Sequence, residues 1–124
     1  MDDRLAYATM EQTEQEKQNQ LPETSEQFLM RLIESPIEVQ VEELAALPMT
    51  ITEIAMFTGQ DAEELRAIIS SQPKHSLTMA YNRGKMRITI MTRFDNLLYA
   101  LHGSPEAMRD VKEYLSDQQI DENA

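Results

Sequence analysis

The sequence predicts an all-α fold: a helix-turn-helix domain followed by a long helical hairpin used for oligomerisation. Three observations predict it. Apolar residues recur at steps of three, four and seven through Ser76–His102. Capping-box spacings precede two short apolar segments, at Thr50/Glu53 and Asp61/Glu64. The prolines and the three glycines fall between these periodic stretches, with Gly84 the exception.

Residues 1–24 are polar, rich in Glu and Gln, and poor in apolar side chains. They cannot repay the entropy of ordering and are expected to be a disordered acidic tail. The helical domain is expected over 25–72. Ser25 is placed to cap a first helix carrying Phe28, Leu29, Leu32 and Ile33 on one face. Pro36 ends it, because the residue before proline is pushed out of helical geometry. Val39, Val41, Leu44, Ala45 and Leu47 continue as a second short helix that Pro48 closes. A third helix follows from Thr50 to Thr58, then a sharp turn at Gly59, then a fourth from Asp61 to about Ser70. Pro73 breaks the chain.

From Ser76 to His102 the spacing predicts one long helix. Leu77, Ala80, Tyr81, Gly84, Ile88, Met91, Leu98 and Leu101 form one stripe. Met79, Met86, Ile90 and Leu97 form a second, with Phe94 beside it. A helix with two apolar faces needs two things to pack on: its own domain and a neighbouring chain. The run Arg87–Thr92 alternates and is β-branched enough to suit a strand, but the spacing on both sides is helical. Gly103 suits a helix C′ position, and Ser104-Pro105 an N-cap and N1 pair. A last helix then carries Met108, Val111, Tyr114 and Leu115, which makes 76–116 a hairpin. Residues 117–124 read as an acidic C-terminal tail.

The charge pattern narrows the function. The net charge of −11 is uneven. Residues 1–45 hold 3 basic and 11 acidic side chains, residues 46–104 hold 6 and 5, and residues 105–124 hold 2 and 6. Phosphate binding needs Lys and Arg, so with a nearly neutral middle segment any DNA affinity of a single chain is expected to be weak and to need many copies or a partner. There is no cysteine, and His75 and His102 lack metal-ligand spacing, so no metal or other cofactor is expected. No Gly-rich phosphate loop or nucleophile elbow is present, and the chain is not expected to be an enzyme. No apolar run is long enough for a membrane span, and Met-Asp-Asp-Arg does not resemble a secretory leader. A cytoplasmic location is the expectation.

The segment Thr52–Ile69 is the most informative. Two helices that cross steeply need a small residue at their approach and a permissive one in the turn; Ala55 and Gly59 are so placed. Ile54, Ala55, Gly59, Leu65 and Ile68 would build the core of a helix-turn-helix, whose second helix enters the major groove. Gln60, Ala62, Glu63, Arg66 and Ala67 are the outward positions, while Asp61, Glu63 and Glu64 put carboxylates near the phosphates. Either Arg66 and the small residues read DNA while Lys74, Arg83, Lys85, Arg87 and Arg93 hold phosphates, or the corner is a scaffold.

The order of short motifs resembles the small terminase subunits of tailed bacteriophages. Ile54-Ala55 and Gly59 are followed by Ala80-Tyr81-Asn82-Arg83-Gly84-Lys85, then Ala100-Leu101-His102-Gly103-Ser104-Pro105-Glu106-Ala107-Met108, then Tyr114-Leu115. The resemblance covers about residues 50–116. It implies a DNA-packaging protein that recognises phage double-stranded DNA, assembles as a homo-oligomeric ring, and recruits a large ATPase/nuclease subunit. It would place DNA contact on Gln60, Arg66, Lys74, Arg83 and Lys85, and the oligomer interface on Tyr81, Ile88, Met91 and Leu98. A helix-turn-helix transcription regulator acting as a dimer, and a protein–protein adaptor without DNA binding, are the alternatives.

Overall fold

The computed structural model describes residues 21–124, in which six helices are joined by short connections and no strand occurs among the described residues. They are α1 (Ser25–Glu34), α2 (Ile37–Ala46), α3 (Ile51–Thr58), α4 (Ala62–Ser71), α5 (Ser76–Leu101) and α6 (Pro105–Glu122). The chain is all-α. The tail expected over 1–24 lies outside the described residues as far as residue 20. No described helix is long and apolar enough to cross a membrane.

The helices form two compact units, residues 1–34 and 35–124. In the first unit α1 is capped by Thr24, not Ser25. The Thr24 hydroxyl accepts from the Gln27 amide at 3.2 Å, and the Gln27 carbonyl Oε1 accepts from the Thr24 amide at 3.0 Å. Arg31 holds Glu23 through two hydrogen bonds, at 2.9 and 3.1 Å, and lies over the Phe28 ring. The Arg31 hydrogen bond lowers the pKa of Glu23.

In the second unit α5 is the spine. Its first half packs on α2, and its N-terminus also meets α4; its second half packs on α6. Val41, Leu44 and Ala45 of α2, Ile54 and Ala55 of α3, Leu65 of α4, and Leu77 and Ala80 of α5 form the buried core. Gly84 lies where α2 crosses α5. A Cβ built there would overlap the Glu42 carbonyl oxygen and sit 2.8 Å from the Ala45 Cβ. The residue is glycine because backbone meets backbone at that crossing. Thr78 is buried, and its hydroxyl donates to the Ile68 carbonyl at 3.1 Å, tying the end of α4 to α5.

The turn between α5 and α6 follows the expected chemistry. Gly103 has φ +95°, and the Ser104 hydroxyl accepts from the Ala107 amide at 3.3 Å with Pro105 at the start of α6. α6 runs back along α5, and the Asn96 amide donates to the Tyr114 hydroxyl at 2.7 Å. The helix does not stop at 116. It continues through Glu122, because 117–122 contain no Gly or Pro, and Gln118 and Asp121 fall four and seven residues after Tyr114 on its α5-facing side. The strand-like run Arg87–Thr92 is helical.

Candidate nucleic-acid interface

The corner of α3 and α4 is built from local rules. Thr50 and Glu53 form a reciprocal box: the Thr50 amide donates to the Glu53 carboxylate at 2.9 Å, and the Glu53 amide to the Thr50 hydroxyl at 3.1 Å. The Thr50 amide, then its hydroxyl, lowers the pKa of Glu53. Gly59 ends α3 in the left-handed region at φ +73°, where a side chain would be strained. Asp61 then opens α4 by accepting from the Glu64 amide at 3.0 Å; Glu64 returns no bond, so this box is half-made. Ile54, Ala55 and Leu65 are buried between the two helices, and Ile68 is half-buried.

Arg66 is the one cation on α4, and it is held in place. One guanidinium nitrogen pairs with Glu63 at 2.6 Å, and the other donates to the Thr52 hydroxyl of α3 at 3.0 Å. The second bond latches α4 to α3 across the corner. Gln60 is half-buried in a hollow of about 300 Å³ bordered by Gly59, Asp61, Glu64, Leu65 and Ile68; its Oε1 is buried without a hydrogen-bond partner. It is therefore turned toward the corner rather than fully outward.

The other expected DNA contacts lie on different elements. Lys74 is exposed in the connection after α4. Arg83 is paired with Glu42 of α2 at 3.6 Å, and Arg87 with Glu43 at 3.5 Å. Lys85 lies over the Tyr81 ring, 5.4 Å from its centroid. It borders a hollow of about 410 Å³ with Pro48, Met49 and Thr50 at the start of α3. Arg83 and Lys85 are two positions apart on one helix, so they leave it in directions roughly 160° apart. They do not form one basic patch.

The four residues expected at an oligomer interface separate into two pairs. Tyr81 and Ile88 are half-buried and line the hollow against Ala45 and Pro48 of the same chain. Met91 and Leu98 lie beyond the reach of α2 and are exposed. The α2–α5 ion pairs, the Thr52 latch and the buried Thr78 hydroxyl were not legible beforehand. Charge and spacing name the residues, but only the crossing of α2 on α5 brings Glu42 and Glu43 to the arginines. No family model, curated protein or solved structure matches the chain.

Proposed function

We propose that the chain is a DNA-packaging protein of the small-terminase type, which binds phage double-stranded DNA, works as a homo-oligomer, and recruits a large ATPase/nuclease subunit. The corner of α3 and α4 carries the reading. Two helices meet across a left-handed Gly59, with Ile54, Ala55 and Leu65 sealed between them, and present Glu63, Arg66 and Ala67 outward. A helix-turn-helix delivers its second helix to the major groove in this way. By donating to the Thr52 hydroxyl, the Arg66 guanidinium is fixed before DNA arrives, so less side-chain freedom is lost on binding. The exposed apolar side chains of α5 support the multi-copy part of the reading.

One observation favours the adaptor reading instead. Arg66 and Arg83 are already paired with carboxylates of their own chain. Fluorescence anisotropy of labelled duplexes at low salt separates the two, because electrostatic binding is strongest there. Packaging requires binding that is lost in an Arg66→Ala, Lys85→Ala double variant. No binding at low salt means the adaptor. A solution mass of two chains points to the dimeric regulator, and a larger assembly to packaging.

A further inference from the structure

α4 turns one narrow face to solvent. Glu63, Arg66, Ala67 and Ser70 are exposed and stand at steps of three, four and seven, so they fall within about 100° of one another around the helix. Buried Leu65 lies on the far side, roughly 160° from Glu63. The face carries one carboxylate, one guanidinium, one methyl and one hydroxyl. Protein interfaces draw most of their energy from large aromatic and apolar anchors, and this face has no large apolar side chain. Its two small residues let a helix come close to the floor of a groove.

Glu63 and Arg66 are joined into one unit. The guanidinium donates from Nη1 to Glu63 Oε1 at 2.6 Å and from Nη2 to the Thr52 hydroxyl at 3.0 Å. An arginine has five N–H donors, so three are left for a ligand. Glu63 keeps its second oxygen, and its side chain is 84% exposed. The unit has no net charge, so its pull on a phosphate is weak. What it retains is a directional pattern: from the arginine to the glutamate it runs donor, donor, acceptor. Glu63 and Arg66 are the second and fifth residues of α4. The first residues of the second helix are the ones that reach base edges in a helix-turn-helix.

In the major groove a G·C pair presents two acceptors on guanine, N7 and O6, and then the N4 donor of cytosine. That order is the complement of the joined side chains. An A·T pair presents acceptor, donor, acceptor. There the second Arg66 donor meets the adenine amine, and the Glu63 carboxylate meets the thymine O4. A G·C pair turned round presents its donor first and fails at both ends. We infer that Glu63 and Arg66 together read one G·C pair in one orientation, with guanine N7 and O6 accepting from Arg66 and cytosine N4 donating to Glu63. This rests on the DNA-binding reading above and names the base pair that α4 selects. Thr52 is the positioning residue, since it holds the guanidinium fork from α3. The carboxylate that repels phosphates at the groove edge becomes a selector at its floor, because it accepts from cytosine and repels the keto oxygens of guanine and thymine.

Selection of duplexes from a randomised pool by the full chain at low salt, followed by anisotropy on single retained duplexes, tests this. Wild type should require G·C at one position by roughly 10-fold or more over A·T. Glu63→Ala and Arg66→Ala should both relax the preference at that same position. Arg66→Lys, which keeps the charge and loses the fork, should relax it too. All three changes are at exposed positions, so helicity by circular dichroism should match wild type. Changes of single atoms in the duplex test wild-type protein directly. Replacing guanine N7 by a C–H group should weaken wild type and leave Arg66→Ala unchanged. A methyl in place of the groove-facing N4 proton of cytosine should weaken wild type and leave Glu63→Ala unchanged. The inference is overturned if the variants relax different positions or none, or if neither atom change weakens wild type. It is overturned equally if Glu63→Ala tightens every duplex alike, as loss of a carboxylate that only repels phosphates would. A pool from which no duplex is retained removes the packaging reading and this inference with it. Retained duplexes that fail the tests above overturn this inference alone.

Discussion

Gly84→Ala should destabilise the second unit, although the same change usually stabilises a helix. In an open helix interior alanine is favoured over glycine by about 1 kcal/mol. At position 84 the added methyl overlaps the Glu42 carbonyl oxygen and lies 2.8 Å from the Ala45 Cβ and 3.1 Å from the Ala46 nitrogen. Two of these three atoms are backbone, so no side chain can rotate away. α2 must lift off α5, which loosens Val41, Leu44 and Ala45 from Leu77 and Ala80. Overpacking of this kind costs about 1–3 kcal/mol, and a backbone clash belongs at or beyond the upper end. Set against the helix gain, the net loss is about 2 kcal/mol. For a unit of this size that corresponds to a drop in Tm of roughly 10 °C. Urea unfolding followed by far-UV circular dichroism measures it, as a lower midpoint at unchanged slope. A variant as stable as wild type, or more stable, would refute the α2–α5 crossing described here.

Three further outcomes are expected. Thr50→Ala removes the cap of α3 and should cost about 1 kcal/mol in the same urea assay. The hydrogen bonds from Thr50 hold the pKa of Glu53 below its ordinary value, so they stabilise the fold above the ordinary carboxylate pKa. That contribution is lost as the pH falls through the lowered value; Thr50→Ala removes the hydroxyl but keeps the amide that donates to Glu53, so an NMR titration of Glu53 should move only part of the way back toward the ordinary midpoint. Thr78→Val should cost about 1 kcal/mol and not more, because the Ile68 carbonyl keeps the Gln72 amide at 2.9 Å after the hydroxyl is gone. Glu42→Gln with Glu43→Gln releases Arg83 and Arg87 from their ion pairs. Duplex affinity at low salt should rise, and the salt dependence should steepen by up to about 0.9 in slope per freed arginine that reaches a phosphate.

Local chemistry made most of the helix boundaries legible. Thr50, Gly59, Asp61, Gly103, Ser104 and Pro105 act within four residues of themselves, and each caps or turns the chain as its type predicts, although Glu64 does not complete the box that the Asp61 spacing suggests. The misses are of two kinds. Thr24 and Ser25 are both competent caps, and only the reach of Gln27 back to the Thr24 amide decides between them. Polar composition at 117–122 suggests a tail, yet the segment continues α6 to Glu122, with Gln118 and Asp121 bordering a hollow shared with Arg93 and Leu97 of α5. Tertiary pairing was not legible. The stripe from Leu77 to Leu101 is continuous in sequence, but α2 covers it only as far as Ile88. One apolar pattern therefore serves the core in its first half and faces solvent in its second.

On the packaging reading proposed above, the internal partners of the basic side chains would set how DNA binding and assembly depend on each other. Arg66, Arg83 and Arg87 are in ion pairs with their own chain, and Lys85 and Arg93 lie over tyrosine rings. Each must exchange an internal partner for a phosphate, so the gain per contact is small and one chain supplies few contacts. A chain that delivers two phosphate contacts has a salt slope of about −2, too shallow for tight binding at moderate salt. Repeating the chain multiplies the contacts on one duplex, and linked contacts raise avidity by 10² to 10⁴ without any new bond. Placing a charge on the exposed half of α5 with Phe94→Asp should then weaken duplex binding far more than its distance in sequence from Arg66 suggests. The slope should fall from a value proportional to the number of copies to that of a single chain. Equal slopes for wild type and variant would mean that the copies bind DNA independently, and the exposed half of α5 would have no part in it.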